Sequence, residues 1–276
     1  MPTLRLALEA GPHTLDAAVA LGLRAVPIDG DALLTKGVAA TLAPLRERQL
    51  VPCQTGAFFF NPLHPDAAAR AAGAAKLAQL IPLVAEAGCG FIAFAGGSRD
   101  PDIFGGADPA NLADAALADA ARELAPLAAL AARHGVALSL EPHIRSVLAT
   151  PERAAALCAR VGSTTLRVTF DVSNFYEFFD CLDSTAMTAR CRTALAAHCG
   201  LVHLKEGALT PGFHFHAGLV PLGRGRTDWA GVLAAAAAIA PADSWAVVEH
   251  CASLDEARAS VALLREAATR VGVTLA

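Results

Sequence analysis

Short apolar runs alternate along the chain with longer segments in which apolar residues recur every three or four positions. The runs are LRLAL (4–8), LRAVPI (23–28), LVPCQ (50–54), FIAFA (91–95), VALSLE (136–141), LRVTFD (166–171), LVHLK (201–205) and WAVVE (245–249). Each has the length of a buried strand. Helical patterns lie between them, near 14–22, 37–48, 65–87, 109–134, 151–161, 185–198, 227–240 and 255–270. Pro65-Asp66, Pro109 and Pro151 sit where first-turn prolines belong, and Thr150 and Asp228 suit N-caps. Gly88, Gly135 and Gly162 fall just past helix ends, where a left-handed residue closes the last turn.

Strict alternation of strand and helix predicts an α/β fold with a parallel sheet. Eight such units in 276 residues predict a single closed (β/α)8 TIM barrel spanning residues 1–276. A doubly wound open sheet would want a glycine-rich phosphate loop after the first strand, and LALEAGPHTLD has no G-x-G-x-x-G.

Composition sharpens this picture by exclusion. The chain is 54% hydrophobic with a mean hydropathy of +0.44. Yet no stretch of about 20 residues is continuously apolar and free of charges or helix breakers. The excess is alanine, as in VLAAAAAIA (232–240). MPTLRLALEAG lacks a basic region followed by a long apolar core, so a cytoplasmic protein with no membrane partner is expected. Net charge is −4 with no basic stripe, which argues against a nucleic-acid partner. Seven cysteines, odd in number and without a C-x-x-C pair, argue against a disulfide framework or zinc ribbon and fit buried thiols.

The candidate chemistry sits at strand ends. Glu141 ends the fifth run, Asp171 the sixth and Glu249 the eighth, while His203 lies in the seventh. Side chains alternate faces along a strand. Ala137, Ser139 and Glu141 therefore share a face, as do Arg167, Thr169 and Asp171, and Val247 and Glu249; His203 opposes Val202 and Leu204. All four polar residues fall on the barrel-interior side at carboxyl strand ends, where barrel enzymes carry their catalytic groups. Three converging carboxylates repel one another, and one imidazole does not neutralise them. A divalent cation would. The mostly oxygen donor set suits Mn²⁺ first, with Mg²⁺, Co²⁺ or Zn²⁺ as alternatives to it, and not a structural zinc site.

Further candidates surround these four. Lys205, one of three lysines, follows His203 by two on the same face and is expected to meet a substrate oxygen or to pair with Glu206 or Asp171. His143 follows Glu141 by two, and Arg145 and Arg226 are candidates for an anionic group. Nine of twelve phenylalanines lie between a strand end and the next helix: Phe58, Phe59, Phe60, Phe104, Phe175, Phe178, Phe179, Phe213 and Phe215, joined by Tyr176. They predict an aromatic rim that lines an apolar substrate wall, forms a lid or makes a dimer contact.

With these motifs the sequence resembles the xylose-isomerase-like TIM barrels, the sugar-phosphate isomerases and epimerases related to endonuclease IV. GVALSLEPH, LRVTFDVSN, LVHLKEG, PLGRGRTDW (221–229) and AVVEH carry the resemblance over nearly the whole chain. It implies metal ligands at Glu141, Asp171, His203 and Glu249, with Glu141 and Glu249 as the acid/base pair. Substrate contacts are expected at His143, Asn174, Lys205, Glu206, Phe59 and Arg226, with Asn174 placed by the family pattern. The resemblance implies an isomerase or epimerase of a sugar, polyol or keto-acid working through an enediolate, and a homo-oligomer, dimer or tetramer. A lyase of the inosose or dehydroshikimate dehydratase type is the alternative, and an inactive barrel serving as a partner subunit a third reading. Departures are informative. Asn174 stands where members commonly have a histidine, and Leu209 where ketohexose epimerases have an arginine. Gly96-Gly97 stands where the nuclease branch has a histidine.

Overall fold

The computed structural model describes residues 2–102 and 106–276, so Phe104 lies outside the described residues. In chain order the strands are β1 (Thr3–Leu4), β2 (Leu6–Leu8), β3 (Ala25–Ile28), β4 (Val51–Gly56), β5 (Phe91–Ala95), β6 (Ala137–Glu141), β7 (Leu166–Phe170), β8 (Cys199–Leu204), β9 (Glu206–Leu209), β10 (Ala217–Val220), β11 (Ala246–Val248) and β12 (Thr274–Leu275). The helices are α1 (Thr14–Ala20), α2 (Gly30–Glu47), α3 (Ala67–Glu86), α4 (Asp114–His134), α5 (Pro151–Val161), α6 (Thr185–Leu195), α7 (Trp229–Ile239) and α8 (Leu254–Val271).

Eight strands form one sheet in the order β2-β11-β8-β7-β6-β5-β4-β3. This is the eight-stranded parallel sheet of a TIM barrel, with a helix after each strand or strand pair. The eight predicted runs supply its eight strands. Two further sheets were not foreseen. β1 pairs with β12 in parallel, and β9 pairs with β10 as an antiparallel hairpin inserted after β8.

By its contacts the chain divides into two compact units. One comprises Ile28–Glu47 and Pro52–Thr169. Its core joins Leu77, Leu80, Ile81 and Val84 of α3 to Ile92 and Phe94 of β5 and to Leu138 and Leu140 of β6. Phe60 is fully buried with its ring 6.0 Å from Phe94. The other unit comprises Met1–Pro27, Arg48–Val51 and Phe170–Ala276. Its core joins Leu6 and Leu8 to Leu201, Val202, Leu204, Val247 and Val248, covered by Leu233 of α7 and Leu264 of α8. Residues of both parities along β2 and β11 are buried, as strands covered on both faces require.

Helix boundaries follow local chemistry. The Thr150 side chain accepts the Arg153 N–H at the start of α5, and Asp66 accepts that of Ala68 at the start of α3. Gly135 and Gly162 close α4 and α5 in the left-handed region. Asp228 precedes α7 but makes no side-chain cap bond. Pro109 opens a 3-10 turn (Pro109–Leu112), and α4 itself starts at Asp114. α2 starts seven residues earlier than its periodicity predicts, because Gly37 at φ 79° breaks the helix and masks its first turns. All seven cysteines are buried thiols. Burial pushes Cys89 and Cys158 up to about 12, far from the thiolate needed of a nucleophile. Among the described residues no helix is long and apolar enough to cross a membrane.

Candidate metal centre

Four neighbouring strands of the sheet, β6, β7, β8 and β11, carry the four predicted ligands. Glu141 is the last residue of β6, and Asp171 follows the last residue of β7. His203 lies one residue before the end of β8, and Glu249 follows β11. Register fixes their heights: Val247 pairs with His203, and the Glu249 N–H donates to the Leu204 carbonyl. The inward parity read from sequence is visible one layer below, where Ser139 and Thr169 hydroxyls bond to each other at 2.9 Å. Arg167 shares that parity, but at the other end of its strand its guanidinium turns back to the Thr164 carbonyl.

One ligand atom from each of Glu141, Asp171, His203 and Glu249 lies within 4.8 Å of all the others. Asp171, His203 and Glu249 are buried and Glu141 is half-buried. His203 Nδ1 is 3.1 Å from Glu249 Oε1. Lys205 reaches the same group. Its Nζ lies 2.9 Å from Asp171 Oδ2 and donates to Glu249 Oε2 at 3.4 Å. Of the two pairings expected for Lys205, the structure selects Asp171 and adds Glu249.

The other oxygen of Asp171 accepts the Ser173 hydroxyl at 2.9 Å and the Asn174 N–H at 3.2 Å. That bond pair winds the 3-10 turn Ser173–Phe175 and holds Asp171 in place. Burial raises the Glu249 carboxyl, but the charges of His203, Lys205 and His250 outweigh it and hold Glu249 well below the usual carboxylate range. Glu249 is therefore ionised at neutral pH, the form both a ligand and a base require. At formal charge, three carboxylates against one ammonium leave two negative charges once His203 gives up its own charge to act as a neutral ligand, which is what one divalent cation would neutralise. Donor type, number and burial fit a hard divalent ion.

The predicted substrate contacts fall in different surroundings. Lys205 is in the group itself. Asn174 is half-buried and gives its backbone N–H to Asp171. His143 is half-buried in the loop after β6, where its Nδ1 accepts the Arg145 N–H at 3.3 Å. Phe59 lies under Lys76 Nζ, 4.0 Å from the ring centre. Arg226 is exposed. Glu206 is 1% exposed and holds the 221–228 loop. One of its oxygens accepts the Gly223 N–H and the other the Thr227 N–H at 3.0 Å. The Tyr176 hydroxyl, kept neutral by burial that raises it to about 12, bonds Thr227 Oγ1 at 3.0 Å.

Sequence reasoning missed His250. Its backbone sits at φ 59°, a region few non-glycine residues adopt. Its N–H donates to Glu9 Oε2 at 3.3 Å, and its exposed imidazole Nε2 is 4.0 Å from Glu249 Oε2. The signal was its place directly after a strand-end ligand.

Solved structures with this fold include a xylose isomerase-like TIM barrel protein from Mycobacterium smegmatis in complex with magnesium. It is 15% identical, with TM-score 0.73 over 97% of either chain. A D-psicose 3-epimerase is 17% identical, with TM-score 0.70 over 97% of this chain and 99% of its own. The probable 3-DHS dehydratase AsbF from Bacillus anthracis is 14% identical, with TM-score 0.70 over 95% and 99%. No curated protein sequence matches significantly. The model of the family described as xylose isomerase-like TIM barrel matches residues 15–267, nearly all the units traced above, and the chain belongs to that family.

Proposed function

We propose that this protein is a divalent-metal-dependent isomerase or epimerase of a small polyhydroxylated carbonyl compound, a sugar, polyol or keto-acid. The observation that carries the reading is the convergence of three carboxylates and an imidazole within 4.8 Å at the ends of four adjacent strands. Family membership and the epimerase among the structural relatives support it.

Glu141, Asp171, His203 and Glu249 would hold the ion, with Mn²⁺ or Mg²⁺ suited to so oxygen-rich a set. When bound, the cation polarises a carbonyl and stabilises negative charge on oxygen, worth several kcal/mol. The chain supplies the proton transfer. Glu249, held ionised, accepts the proton from the carbon next to the carbonyl, and the substrate's electron pair moves onto oxygen as an enediolate. Glu141, which would enter the step carrying a proton taken from water, gives it to the opposite face of the same carbon in an epimerisation or to the neighbouring carbon in an isomerisation; Glu249 then loses its proton to water and Glu141 regains one. A positioned carboxylate base contributes about 10²–10⁴-fold. Lys205 keeps Asp171 and Glu249 apart in charge and offers an ammonium to a substrate oxygen.

A second reading has one specific support, the dehydratase among the structural relatives. The same base could remove a proton next to a carbonyl and a hydroxyl leave from the adjacent carbon as water. Both readings are tested together. The purified protein, loaded with Mn²⁺, is incubated in D₂O with a panel of ketoses, inososes and cyclic keto-acids. Deuterium incorporation at unchanged carbon skeleton supports an isomerase or epimerase, and loss of one water mass supports the lyase. No exchange into any member, or full activity in Glu249→Gln, would overturn the proton-transfer reading.

A further inference from the structure

The chain after β11 makes a turn that the strand itself does not dictate. β2 and β11 pair in parallel. At one end of their ladder the Ala246 N–H donates to the Arg5 carbonyl at 2.8 Å, and at the other the Glu9 N–H donates to the Val248 carbonyl at 2.8 Å. Continued in that register, the ladder would bring the His250 N–H to the Glu9 main-chain carbonyl. It goes instead to the Glu9 side chain, whose Oε2 accepts it at 3.3 Å. There His250 turns to φ 59°, and Gln49 is the one other non-glycine residue with positive φ among the described residues. An L residue enters that region at a cost, and such outliers cluster at functional sites.

The turn acts on the neighbouring ligand. Successive side chains of an extended strand point to opposite faces. Glu249 and His250 are successive, yet His250 Nε2 lies 4.0 Å from Glu249 Oε2. The left-handed residue brings the two onto one side. Glu249 is tied on its other flank to β8, where its N–H donates to the Leu204 carbonyl at 3.2 Å. The strand end is thus held from β8 through the N–H of Glu249 and from the end of β2 through that of His250. Glu9 is half-buried, and no step of the proton transfer uses it.

We propose that Glu9 is a positioning residue of the metal centre: by holding the left-handed turn at His250, it fixes the direction in which Glu249 presents its carboxylate. It acts through the backbone and not as a ligand. Groups that orient metal ligands are worth about 10–100-fold in metal affinity. The proposal rests on the reading of Glu141, Asp171, His203 and Glu249 as a metal centre.

The experiment is calorimetric titration of the full metal-free chain with Mn²⁺. Glu9→Ala should weaken binding about tenfold. Glu9→Met keeps the length of the side chain without an acceptor oxygen; it should lose as much, and it serves where Glu9→Ala folds poorly. Glu9→Gln keeps an oxygen for the same N–H and should bind within about threefold of the wild type. The discriminating variants change residue 250. Glycine takes the left-handed region without steric cost. In a His250→Gly background Glu9→Ala should therefore cost about threefold or less, whereas in a His250→Ala background it should cost the full loss of about tenfold. Wild-type affinity in Glu9→Ala and Glu9→Met, no rescue by glutamine, or equal losses in the glycine and alanine backgrounds would overturn the proposal. A wild type that takes up no Mn²⁺ would instead overturn the metal-centre reading, and the positioning role with it.

Discussion

The end of β8 and the hairpin that follows it invert each other across a single residue. His203 and Lys205 are polar and buried, whereas Phe213, Phe215 and Leu219 are apolar and exposed. An ordinary soluble surface teaches little; a buried charge or a large exposed apolar patch is what carries information. The buried set is kept by pairing. Lys205 meets Asp171 and Glu249, and Glu249 meets His203, so each charge removed from water finds another. The exposed set finds no comparable partner among the described residues. One region pairs its charges within the chain, and the other leaves apolar area in water. Strands supply the first because a rigid sheet fixes donor atoms to fractions of an ångström; a hairpin inserted after a strand end can vary without disturbing it.

Breaking the buried side should cost most. Asp171→Ala removes a partner of Lys205 and the acceptor that winds the Ser173–Phe175 turn. Stripping one partner from a buried pair costs about 3–5 kcal/mol. Urea unfolding of the metal-free variant should show a loss of that size, and elemental analysis should find no bound Mn²⁺. Wild-type metal content in this variant would refute the ligand assignment.

Lys205→Met attacks the same group from the other sign. Asp171 keeps Ser173 and Asn174, and Glu249 keeps His203, so the metal-free loss should fall at or below the low end of that range, about 3 kcal/mol. With the ammonium gone, the carboxylates have more to gain from a cation. Mn²⁺ should therefore raise the melting temperature of Lys205→Met by more than that of the wild type. An equal or smaller rise would show that Lys205 does not offset the ligand charge.

The contrast also explains what could be read from the sequence. Barrel strands announce themselves as apolar runs bounded by glycine and proline, and period-2 parity then sorts Glu141, Asp171, His203 and Glu249 to one face before any coordinates exist. The hairpin was illegible. β9 is EGAL and β10 is AGLV, four residues each, with Val220 the one β-branched residue among them. Glu206 was legible as a charge but not as a latch. Its oxygens accept from backbone N–H groups seventeen and twenty-one residues ahead, a pairing that only the folded loop creates.

That latch gives an intermediate test. A Cβ on Gly225 would lie 2.7 Å from Glu206 Oε1, inside van der Waals contact. Gly225→Ala should cost about 1–3 kcal/mol by displacing the carboxylate. Glu206→Ala alone loses two charge-assisted bonds and should cost about 2–3 kcal/mol. The double variant should cost less than the two losses added, since the clash and the latch are the same contact. Additive losses would place the effect of Gly225 elsewhere.

The smallest change in folding is expected where the apolar area is greatest. Phe213→Ser removes a ring that is 98% exposed and meets only the neighbouring His214 ring, 5.2 Å away. Exposed substitutions away from caps and networks stay within about ±0.5 kcal/mol. The urea unfolding midpoint should therefore match that of the wild type within that range. A larger loss would mean that Phe213 supports the hairpin within the chain, and the contrast between a paired interior and an exposed apolar surface would fail at its most exposed residue.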